Sequence, residues 1–362
     1  MSEHHIQVVP GPANYYSHPG AIARLADYYS ADQLSKAFWV TGERALVAAQ
    51  PWLEPWLYLS GAKVSVFAGH CSGPAVAALA QEAGEDRQVV IGVGGGTVLD
   101  TAKALAHRLG LPVVTIPTIA ATCAAWTPLS VWYNDAGEAL QFEIFPQANH
   151  LLLLEPQIIL QAPARYLQAG IGDTLAKWYE AVVLAPKPAE LPLTVRLGLD
   201  IAATLRDVLL DKSEAALADQ QLQQLTLAFR DVVDAIVAGG GMVGGLGERY
   251  TRIAAAHAVH NGLTVLPQTA KFLHGTKVAY GILVQSALLE QDEVTAQLIA
   301  AYKRFNLPTT LAQLDVDIQQ RDQVERVIHH TLRAGESIHY LPISLTPATL
   351  WAALEKVEAL GQ

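Results

Sequence analysis

Asp173 and three histidines have the residue types of a divalent-metal site. Asp173 follows Gly170–Gly172 and is expected to open a helix. His257 and His260 are three residues apart, which places them on one helical face, and His274 follows later in the chain. One carboxylate with two imidazoles is a ligand set that Zn²⁺ or Fe²⁺ accepts, with positions left open for a substrate oxygen. Because the sequence contains 12 histidines, ordinary core or surface roles remain an alternative.

A glycine-rich turn joins a predicted strand to a predicted helix. Val89–Val93 leads into Gly94–Gly96, and helical spacing starts at Thr97. Without Cβ atoms the backbone can approach a diphosphate, and a helix N-terminus offers N–H groups and the positive end of its dipole. The spacing is not that of the Gly-x-Gly-x-x-Gly fingerprint, and similar turns occur without any ligand. On the following helix, Asp100 and Lys103 are interpreted as a surface ion pair of small energetic value.

A second loop, Pro117–Thr127, leaves the carboxyl end of a predicted strand. It is rich in small residues and hydroxyls, and open α/β sheets bind their ligands at this edge. A ligand-lining loop is therefore predicted. No neighbouring sequence feature would lower the thiol pKa of Cys123, so it is interpreted as a small buried apolar residue rather than a nucleophile.

The elements that must position these residues change type along the chain. β-rich runs alternate at first with amphipathic helical patterns, which is typical of a parallel sheet covered by helices. The predicted strands are Ala37–Thr41, Lys63–Phe67, Gln88–Gly92 and Pro112–Ile116, and the predicted helices between them are Ala21–Tyr29, Gly73–Ala83 and Thr97–Leu109.

A hairpin and a helical half complete the predicted organisation. The turn cluster Asn134–Gly137 between Leu129–Tyr133 and Ala139–Glu143 predicts a β-hairpin. Beyond it, strand signals nearly vanish. Helices are predicted at Ile171–Leu184, Leu193–Leu209 and Gln221–Val237. We therefore predict an α/β domain over residues 1–162 and an all-α domain over residues 163–362.

Composition excludes several classes of protein. The 362 residues are 51% hydrophobic, so the chain can bury a large core. Twenty-four basic against 34 acidic residues give a net charge of −10 without a basic cluster, so the expected partner is a small molecule and not a nucleic acid. The apolar runs are too short for a membrane span. The chain has two cysteines and no secretory pattern at its N-terminus, which predicts that the protein resides in a reducing cytoplasm.

Four motifs occur in a fixed order along the chain. They are Gly94-Gly95-Gly96-x-x-x-Asp100-x-x-Lys103, Pro117-Thr118-Ile119-Ala120, Gly170-Ile171-Gly172-Asp173 and Ala256-His257-Ala258-Val259-His260-Asn261-Gly262. In this order they resemble the metal-dependent, iron-type alcohol dehydrogenase superfamily, in particular its glycerol dehydrogenase-like branch. The resemblance covers nearly the whole chain.

The resemblance implies a fold, a chemistry and a set of site residues. It implies an N-terminal nucleotide-binding α/β domain, a helical C-terminal domain, a catalytic cleft between them and, commonly, assembly into a homo-oligomer. Asp173, His257 and His274 fall on the family's ligands for Zn²⁺ or another divalent ion. The implied contacts with the nicotinamide cofactor are Gly94, Gly95, Gly96, Thr97, Thr118, Ala121, Thr127, Leu129 and Tyr133.

One departure from the family pattern concerns the cofactor. Many NAD-preferring relatives place a carboxylate after the first strand, where this chain has Gly42. Such a carboxylate would bind the adenosine ribose and repel a 2′-phosphate, whereas Gly42 leaves room and Arg44 could pair with that phosphate. We therefore predict a preference for NADP(H) over NAD(H). The alternative is that Arg44 is a solvated surface cation.

Two further departures concern the substrate. Cys123 stands where similar glycerol dehydrogenases carry an aspartate that contacts the polyol, so a hydroxyl acceptor and a repulsive charge are both missing. Lys177 lies one helical turn after Asp173, where iron-type relatives place another histidine ligand. An ammonium group can pair with a substrate carboxylate, although Lys177 could instead form a structural ion pair, and its charge would weaken metal binding.

These departures predict an oxidoreductase that reduces a small 2-oxo acid, such as 2-oxobutyrate or 2-oxoglutarate, to the 2-hydroxy acid. The catalytic residues predicted beside the metal are Lys177 and His260, the latter as a proton relay. A glycerol dehydrogenase-like polyol oxidoreductase is the first alternative. A sugar-phosphate cyclase and a non-catalytic nucleotide-binding protein are the others.

Overall fold

The computed structural model describes residues 6–134, 137 and 139–362. The chain divides into two compact units. One comprises Val9–Pro163 together with Gln220–Thr226, and the other comprises the described residues 6–8, Ala164–Asp219 and Leu227–Gln362. The predicted combination of an α/β half and a helical half is confirmed.

A six-stranded sheet organises the first unit. Its order is β1-β8-β5-β4-β2-β3, and every neighbouring pair is parallel. The strands are β1 (Asn14–Ser17), β2 (Ala37–Thr41), β3 (Lys63–Val66), β4 (Val89–Gly94), β5 (Val113–Pro117) and β8 (Leu151–Leu154). The helices are α1 (Leu25–Tyr28), α2 (Ala31–Ser35), α3 (Glu43–Leu57), α4 (Gly73–Ala83), α5 (Gly96–Leu109) and α6 (Pro156–Leu160).

The central strands are buried on both faces. Trp39 and Ile91 pack into one apolar cluster with Leu53 of α3, whereas Val40 packs with Leu105 of α5 in another. Successive side chains of a strand point to opposite faces, so helices on both sides of the sheet remove both sets from water. Burial on both faces explains why these strands are continuous apolar runs without polar alternation.

A separate two-stranded hairpin lies outside this sheet. Strands β6 (Leu129–Tyr133) and β7 (Ala139–Ile144) pair antiparallel, which confirms the predicted hairpin. Of its predicted turn, Asp135 and Ala136 lie outside the described residues.

Among its described residues, the second unit contains helices and loops and no strand. Three of its helices carry the predicted metal ligands. The helices are α7 (Ala164–Leu184), α8 (Leu193–Gln221), α9 (Leu227–Asp234), α10 (Gly240–Gly247), α11 (Ala255–Leu263), α12 (His274–Leu288), α13 (Asp292–Phe305), α14 (Arg321–Thr331) and α15 (Pro347–Gly361). A π-helical turn, Ala235–Gly239, joins α9 to α10.

Four predicted helices were wrong in their limits. The helix predicted at Leu193–Leu209 continues to Gln221. Ala21–Tyr29 is a 3₁₀ turn followed by the short α1. The helix predicted at Gln221–Val237 begins only at Leu227. The amide groups of Gln220 and Gln223 instead donate to carbonyls at the end of α6, which holds this loop in the first unit.

The position of Asp173 was also predicted wrongly. It does not open a helix, because α7 begins nine residues earlier at Ala164 and continues through Gly170 and Gly172. Glycine lowers helix propensity by about 1 kcal/mol, which is the reason that the pattern suggested a boundary there. Close packing against a neighbouring helix overrides that preference, as described below.

Strands β1 and β8 and helix α3 were not predicted. Strand β8 consists of four leucines, which are not specific to strands, and β1 has only four residues. In the described part of the chain, no helix combines the length and the apolar character that crossing a membrane requires.

Candidate active site

Three helices of the second unit bring together one carboxylate and two imidazoles. Asp173 lies in the middle of α7, His257 near the start of α11, and His274 at the first position of α12. Nε2 of His274 is 3.2 Å from Oδ1 of Asp173, and Nε2 of His257 is 3.7 Å from the same oxygen. One ligand atom from each residue lies within 4.8 Å of the other two. Residues separated by 84 and 101 positions in the chain thus share one site.

Two glycines allow this convergence, because they let α7 and α12 approach closely. A Cβ on Gly275 would lie 1.9 Å from the carbonyl oxygen of Ala169, and one on Gly172 would lie 2.5 Å from the carbonyl oxygen of Gly275. Each glycine is the chain neighbour of a candidate ligand, Asp173 or His274. Any larger side chain would push the two helices apart and separate their donor atoms.

The donor geometry fits a bound divalent cation. Bonds of about 2.0–2.1 Å in a tetrahedral site separate the ligand atoms by about 3.4 Å, which is close to the distances found here. Among the described residues, the buried Oδ1 of Asp173 accepts no aligned hydrogen bond. A buried carboxylate oxygen without such a partner is costly unless a cation satisfies it.

Lys177 adds a positive charge beside this cluster. It follows Asp173 by one helical turn and is half-buried. Burial acts to raise the pKa of Asp173, but the charge of Lys177, followed by the effects of His274 and His257, lowers that pKa well below its usual range. Asp173 is therefore an anion throughout the neutral range, as a ligand must be.

Glu180, which was not predicted from the sequence, supports His257. Its carboxylate is fully buried, and Oε2 accepts a hydrogen bond from Nδ1 of His257 at 2.6 Å. Since a carboxylate accepts hydrogen bonds, Nδ1 donates to Glu180, which leaves Nε2, on the side of Asp173, as the ring atom placed to bind a metal. The spacing could have indicated this residue, because Glu180 lies seven residues, or two helical turns, after Asp173 and therefore on the same helical face.

The start of α11 is capped by side chains of other helices. Oε1 of Glu180 accepts hydrogen bonds from the backbone N–H groups of Ala254 at 2.7 Å and His257 at 3.0 Å. Oε1 of Gln285, on α12, accepts those of Ala255 at 3.1 Å and Ala256 at 3.2 Å. These are N–H groups that a helix cannot satisfy internally, so the caps fix the helix of His257 against α7 and α12.

His260 lies behind the donors and contacts His274. Its Nε2 is 3.1 Å from Nδ1 of His274, and its Nδ1 is 3.0 Å from Oδ1 of Asn261. Burial, and then the charges of His274 and Lys277, hold the pKa of His260 well below its ordinary value. His260 is therefore a neutral imidazole with protein groups on both ring nitrogens.

In the first unit, the glycine-rich turn ends at the N-terminus of α5. Gly95 is the N-cap residue, and no side chain caps the helix. A Cβ on Gly95 would lie 2.8 Å from Cδ1 of Ile119, whereas one on Gly96 would meet only ordinary contacts at 3.6 Å. A small pocket opens here. It is lined by Gly95, Gly96, Leu99, Pro117, Ile119, Ala121, Thr122, Ala124 and Ala125. The predicted loop and the predicted turn therefore form two walls of one pocket.

The interpretation of Asp100 and Lys103 as a surface pair is wrong. Both are buried, and their charged atoms are 2.9 Å apart. Nζ of Lys103 also donates to the carbonyl oxygens of Ala124 at 2.7 Å, Thr127 at 3.1 Å and Leu129. Burial raises the pKa of Asp100, and the charge of Lys103 opposes that shift. The lysine thus anchors the end of the ligand-lining loop to α5.

The remaining predicted cofactor residues differ in their exposure. A Cβ on Gly42 would meet nothing closer than 3.7 Å, so packing does not require a glycine there. Arg44 is exposed and, in the described part of the chain, forms no hydrogen bond or ion pair. Thr97 is exposed, Thr118 is buried, and Ala121, Thr127, Leu129 and Tyr133 are half-buried. Cys123, the predicted substrate residue, is also half-buried, so its interpretation as a buried residue is wrong.

Comparison with known proteins agrees with this fold. The model of the iron-containing alcohol dehydrogenase family matches residues 12–153. Hydroxycarboxylate dehydrogenase A of Escherichia coli (strain K12) is 68% identical over 359 residues, which is 99% of each chain. Glycerol dehydrogenase of Pseudomonas putida is 35% identical over 365 residues, 98% of each chain. The crystal structure of glycerol dehydrogenase from Schizosaccharomyces pombe has a TM-score of 0.85 and 28% identity, covering 99% of this chain and 92% of that one.

Fold, site and relatives together define a metal-containing dehydrogenase that acts on CH–OH groups. The chain belongs to the iron-containing alcohol dehydrogenase family, whose members use NAD(P) and a divalent metal.

Proposed function

We propose that this protein reduces a small 2-oxo acid to the corresponding 2-hydroxy acid, with NADPH as the hydride donor. The observation that carries the substrate class is the positive charge of Lys177 beside Asp173, where an acidic substrate would find a counter-ion. The name of the Escherichia coli relative, hydroxycarboxylate dehydrogenase A, supports the same class.

We assign the metal to Asp173, His257 and His274. When bound, a divalent cation would polarise the substrate carbonyl, and the reduced nicotinamide would supply the hydride. Glu180 holds the ring of His257 with Nε2 aimed at the site, and Gly275 keeps the helix of His274 against that of Asp173. The donors are thus held in place before any ligand binds.

Lys177 is assigned to the substrate carboxylate. Its charge lies on the same helical face as Asp173, so a carboxylate attached to the reacting carbon can pair with it while the carbonyl faces the metal donors. Cys123 supplies no charge that would repel such an acid. A role for His260 in proton transfer stays a prediction, because its ring nitrogens contact His274 and Asn261.

NADP(H) preference is assigned to Gly42 and Arg44. Since packing does not require glycine at 42, its presence leaves a space that a larger residue could have filled. Arg44 is exposed and available to a 2′-phosphate.

The proposal is tested by a matrix of initial rates. NADPH and NADH are each combined with 2-oxobutyrate, 2-oxoglutarate and dihydroxyacetone on metal-loaded enzyme. We expect the highest kcat/KM for an oxo acid with NADPH. If dihydroxyacetone with NADH gives the highest value, the arguments from Gly42, Cys123 and Lys177 fail together, and a polyol oxidoreductase like the glycerol dehydrogenase relatives replaces them.

Lys177→Met separates the two roles of that lysine. Loss of a carboxylate partner raises KM for oxo acids by about 10-fold, the equivalent of a charge-assisted hydrogen bond of about 1.5 kcal/mol, and leaves dihydroxyacetone unaffected. A purely structural ion pair predicts the opposite result, a lower melting temperature with unchanged selectivity. Lys187→Met, in an exposed pair with Glu190, is the matched control.

A further inference from the structure

A buried glutamine connects the three helices that carry the candidate metal ligands. Gln285 lies on α12 and is almost fully buried. Its Oε1 accepts hydrogen bonds from the backbone N–H groups of Ala255 at 3.1 Å and Ala256 at 3.2 Å, at the start of α11. Its Nε2 donates to the backbone carbonyl oxygen of Tyr179, on α7, at 2.7 Å. One side chain therefore links α7, α11 and α12.

The partners of this amide allow only one orientation. Backbone N–H groups only donate and a backbone carbonyl oxygen only accepts, so Oε1 must face α11 and Nε2 must face α7. An ionised carboxylate of the same shape could accept from α11 but could not donate to Tyr179, and an apolar side chain could do neither. Both ends of the amide are satisfied, as the burial of such a group requires.

The linked positions lie close to the candidate ligands in the sequence. The N–H groups that Gln285 binds belong to the two residues directly before His257, and its carbonyl partner follows Asp173 by six residues. Gln285 itself follows His274 by 11 residues, which is about three helical turns and therefore the same face of α12. A movement of one of these helices against the others would change the distances between the donor atoms.

The link matters most for His257, because this residue lies in the first turn of α11. The N–H groups of Ala254–His257 are those that a helix cannot satisfy internally. Glu180 accepts from two of them and Gln285 accepts from the other two. Without Gln285, two buried N–H groups would lose their partner, and the turn that carries the His257 ring would be free to shift.

We propose that Gln285 is a positioning residue that sets the affinity of the metal site by fixing the three ligand-bearing helices against one another. The proposal rests on the proposed function, in which Asp173, His257 and His274 bind the metal. The three hydrogen bonds of Gln285 reach backbone groups, so it acts on the ligands through their helices and not through their side chains. Glu180, in contrast, also holds the ring of one ligand directly.

Gln285→Met tests the proposal, because methionine has a similar length and can form none of these three hydrogen bonds. The full chain is freed of metal by dialysis and titrated calorimetrically with Zn²⁺, at a temperature where circular dichroism shows the variant to be folded. We expect the Kd for Zn²⁺ to rise about 10-fold, because loss of the groups that orient metal ligands typically costs at least that much affinity.

Gln220→Met is the matched control, since it makes the same substitution at a buried glutamine of the first unit. Nε2 of Gln220 donates to the carbonyl oxygens of Ile159 at 3.1 Å and Ala162 at 3.0 Å. Both variants should melt at a lower temperature than the wild type, because each removes hydrogen bonds from buried backbone groups. Only Gln285→Met should lose affinity for Zn²⁺.

The visible spectrum of bound Co²⁺ provides the second readout. Its bands depend on the coordination geometry, which a loss of stability alone does not alter. We expect a changed spectrum in Gln285→Met and the wild-type spectrum in Gln220→Met. If Gln285→Met does not fold, Gln285→Asn replaces it with the same expected changes, because its amide is one methylene group too short to reach both α7 and α11.

Two results would overturn this proposal alone. One is a folded Gln285→Met or Gln285→Asn protein with the wild-type Kd or the wild-type Co²⁺ spectrum. The other is an equal rise in Kd in Gln220→Met, which would attribute the lost affinity to lost stability. A wild-type protein that binds neither Zn²⁺ nor Co²⁺ would instead overturn the metal assignment, and this proposal with it. Neither readout uses substrate or cofactor, so an error in the substrate class affects neither.

Discussion

The two proposed functional regions of this protein are built in opposite ways. In the helical unit, side chains from α7, α11 and α12 supply the donors, and the backbone only permits them to meet. In the α/β unit, the backbone of the glycine-rich turn lines the pocket, and a buried side chain, Lys103, holds the adjoining loop in place. A metal requires specific donor atoms, whereas a diphosphate requires only N–H groups and space.

This difference shows where each region is vulnerable. At the metal donors, changing one ligand atom should remove function and spare the fold. In the loop region, changing the buried lysine should cost stability, because its ammonium group binds three carbonyl oxygens at the end of the loop. The following four variants separate these cases, beginning with the largest expected effect.

Asp173→Asn should lower kcat/KM by about 10⁴-fold, the equivalent of about 5 kcal/mol, because the site loses the negative ligand that balances the cation. Metal content measured by mass spectrometry should fall in parallel, while the circular dichroism spectrum stays that of the wild type. Asp200→Asn, at an exposed position of α8, controls for the substitution itself. Full activity in Asp173→Asn would remove this residue from the metal site.

Lys103→Met should destabilise the protein by about 3–5 kcal/mol, because it leaves Asp100 buried without its counter-charge. Urea unfolding followed by fluorescence measures this loss. Adding Asp100→Asn should recover part of it, since the orphaned charge is then gone. Lys36→Met breaks an exposed pair with Asp32 and should cost about 0.5 kcal/mol or less. Equal effects of the two lysine variants would mean that burial of the pair has no energetic consequence.

Gly275→Ala should destabilise the protein by about 1–3 kcal/mol, because its Cβ would overlap the carbonyl of Ala169. The affinity for Zn²⁺ should also fall as α7 and α12 separate, and calorimetric titration measures it. Gly73→Ala is the control, since its Cβ would meet nothing within 4 Å. Unchanged affinity in a folded Gly275→Ala protein would show that close helix packing is not what aligns the donors.

Arg44→Gln should have the smallest effect, raising KM for NADPH about 10-fold at low ionic strength and leaving KM for NADH unchanged, because a surface charge contributes about 1.4 kcal/mol at most to such a contact. The difference in KM for NADPH between the wild type and Arg44→Gln should narrow at high salt. If KM for both cofactors rises equally, Arg44 does not distinguish the 2′-phosphate.

Sequence motifs alone were enough to define the fold class and the chemical types at the site. The glycine-rich turn is contiguous, so its strand, turn and helix could be predicted within about two residues. Asp173, His257 and His274 could be predicted from a family resemblance, because the chain has the family's residue types at these positions. Their distance along the sequence does not by itself suggest contact.

Tertiary structure decided what surrounds those residues. Whether Lys103 is exposed or buried, and whether Glu180 caps α11, depends on neighbours many residues away in the chain. At Gly172, helix propensity alone predicts a helix boundary. Contact with Gly275 instead stabilises a continuous helix that glycine by itself disfavours. A sequence states which groups are available for chemistry. Burial and hydrogen-bond direction are properties of the packed chain, and they determine which of those groups carry a charge, a proton or a lone pair.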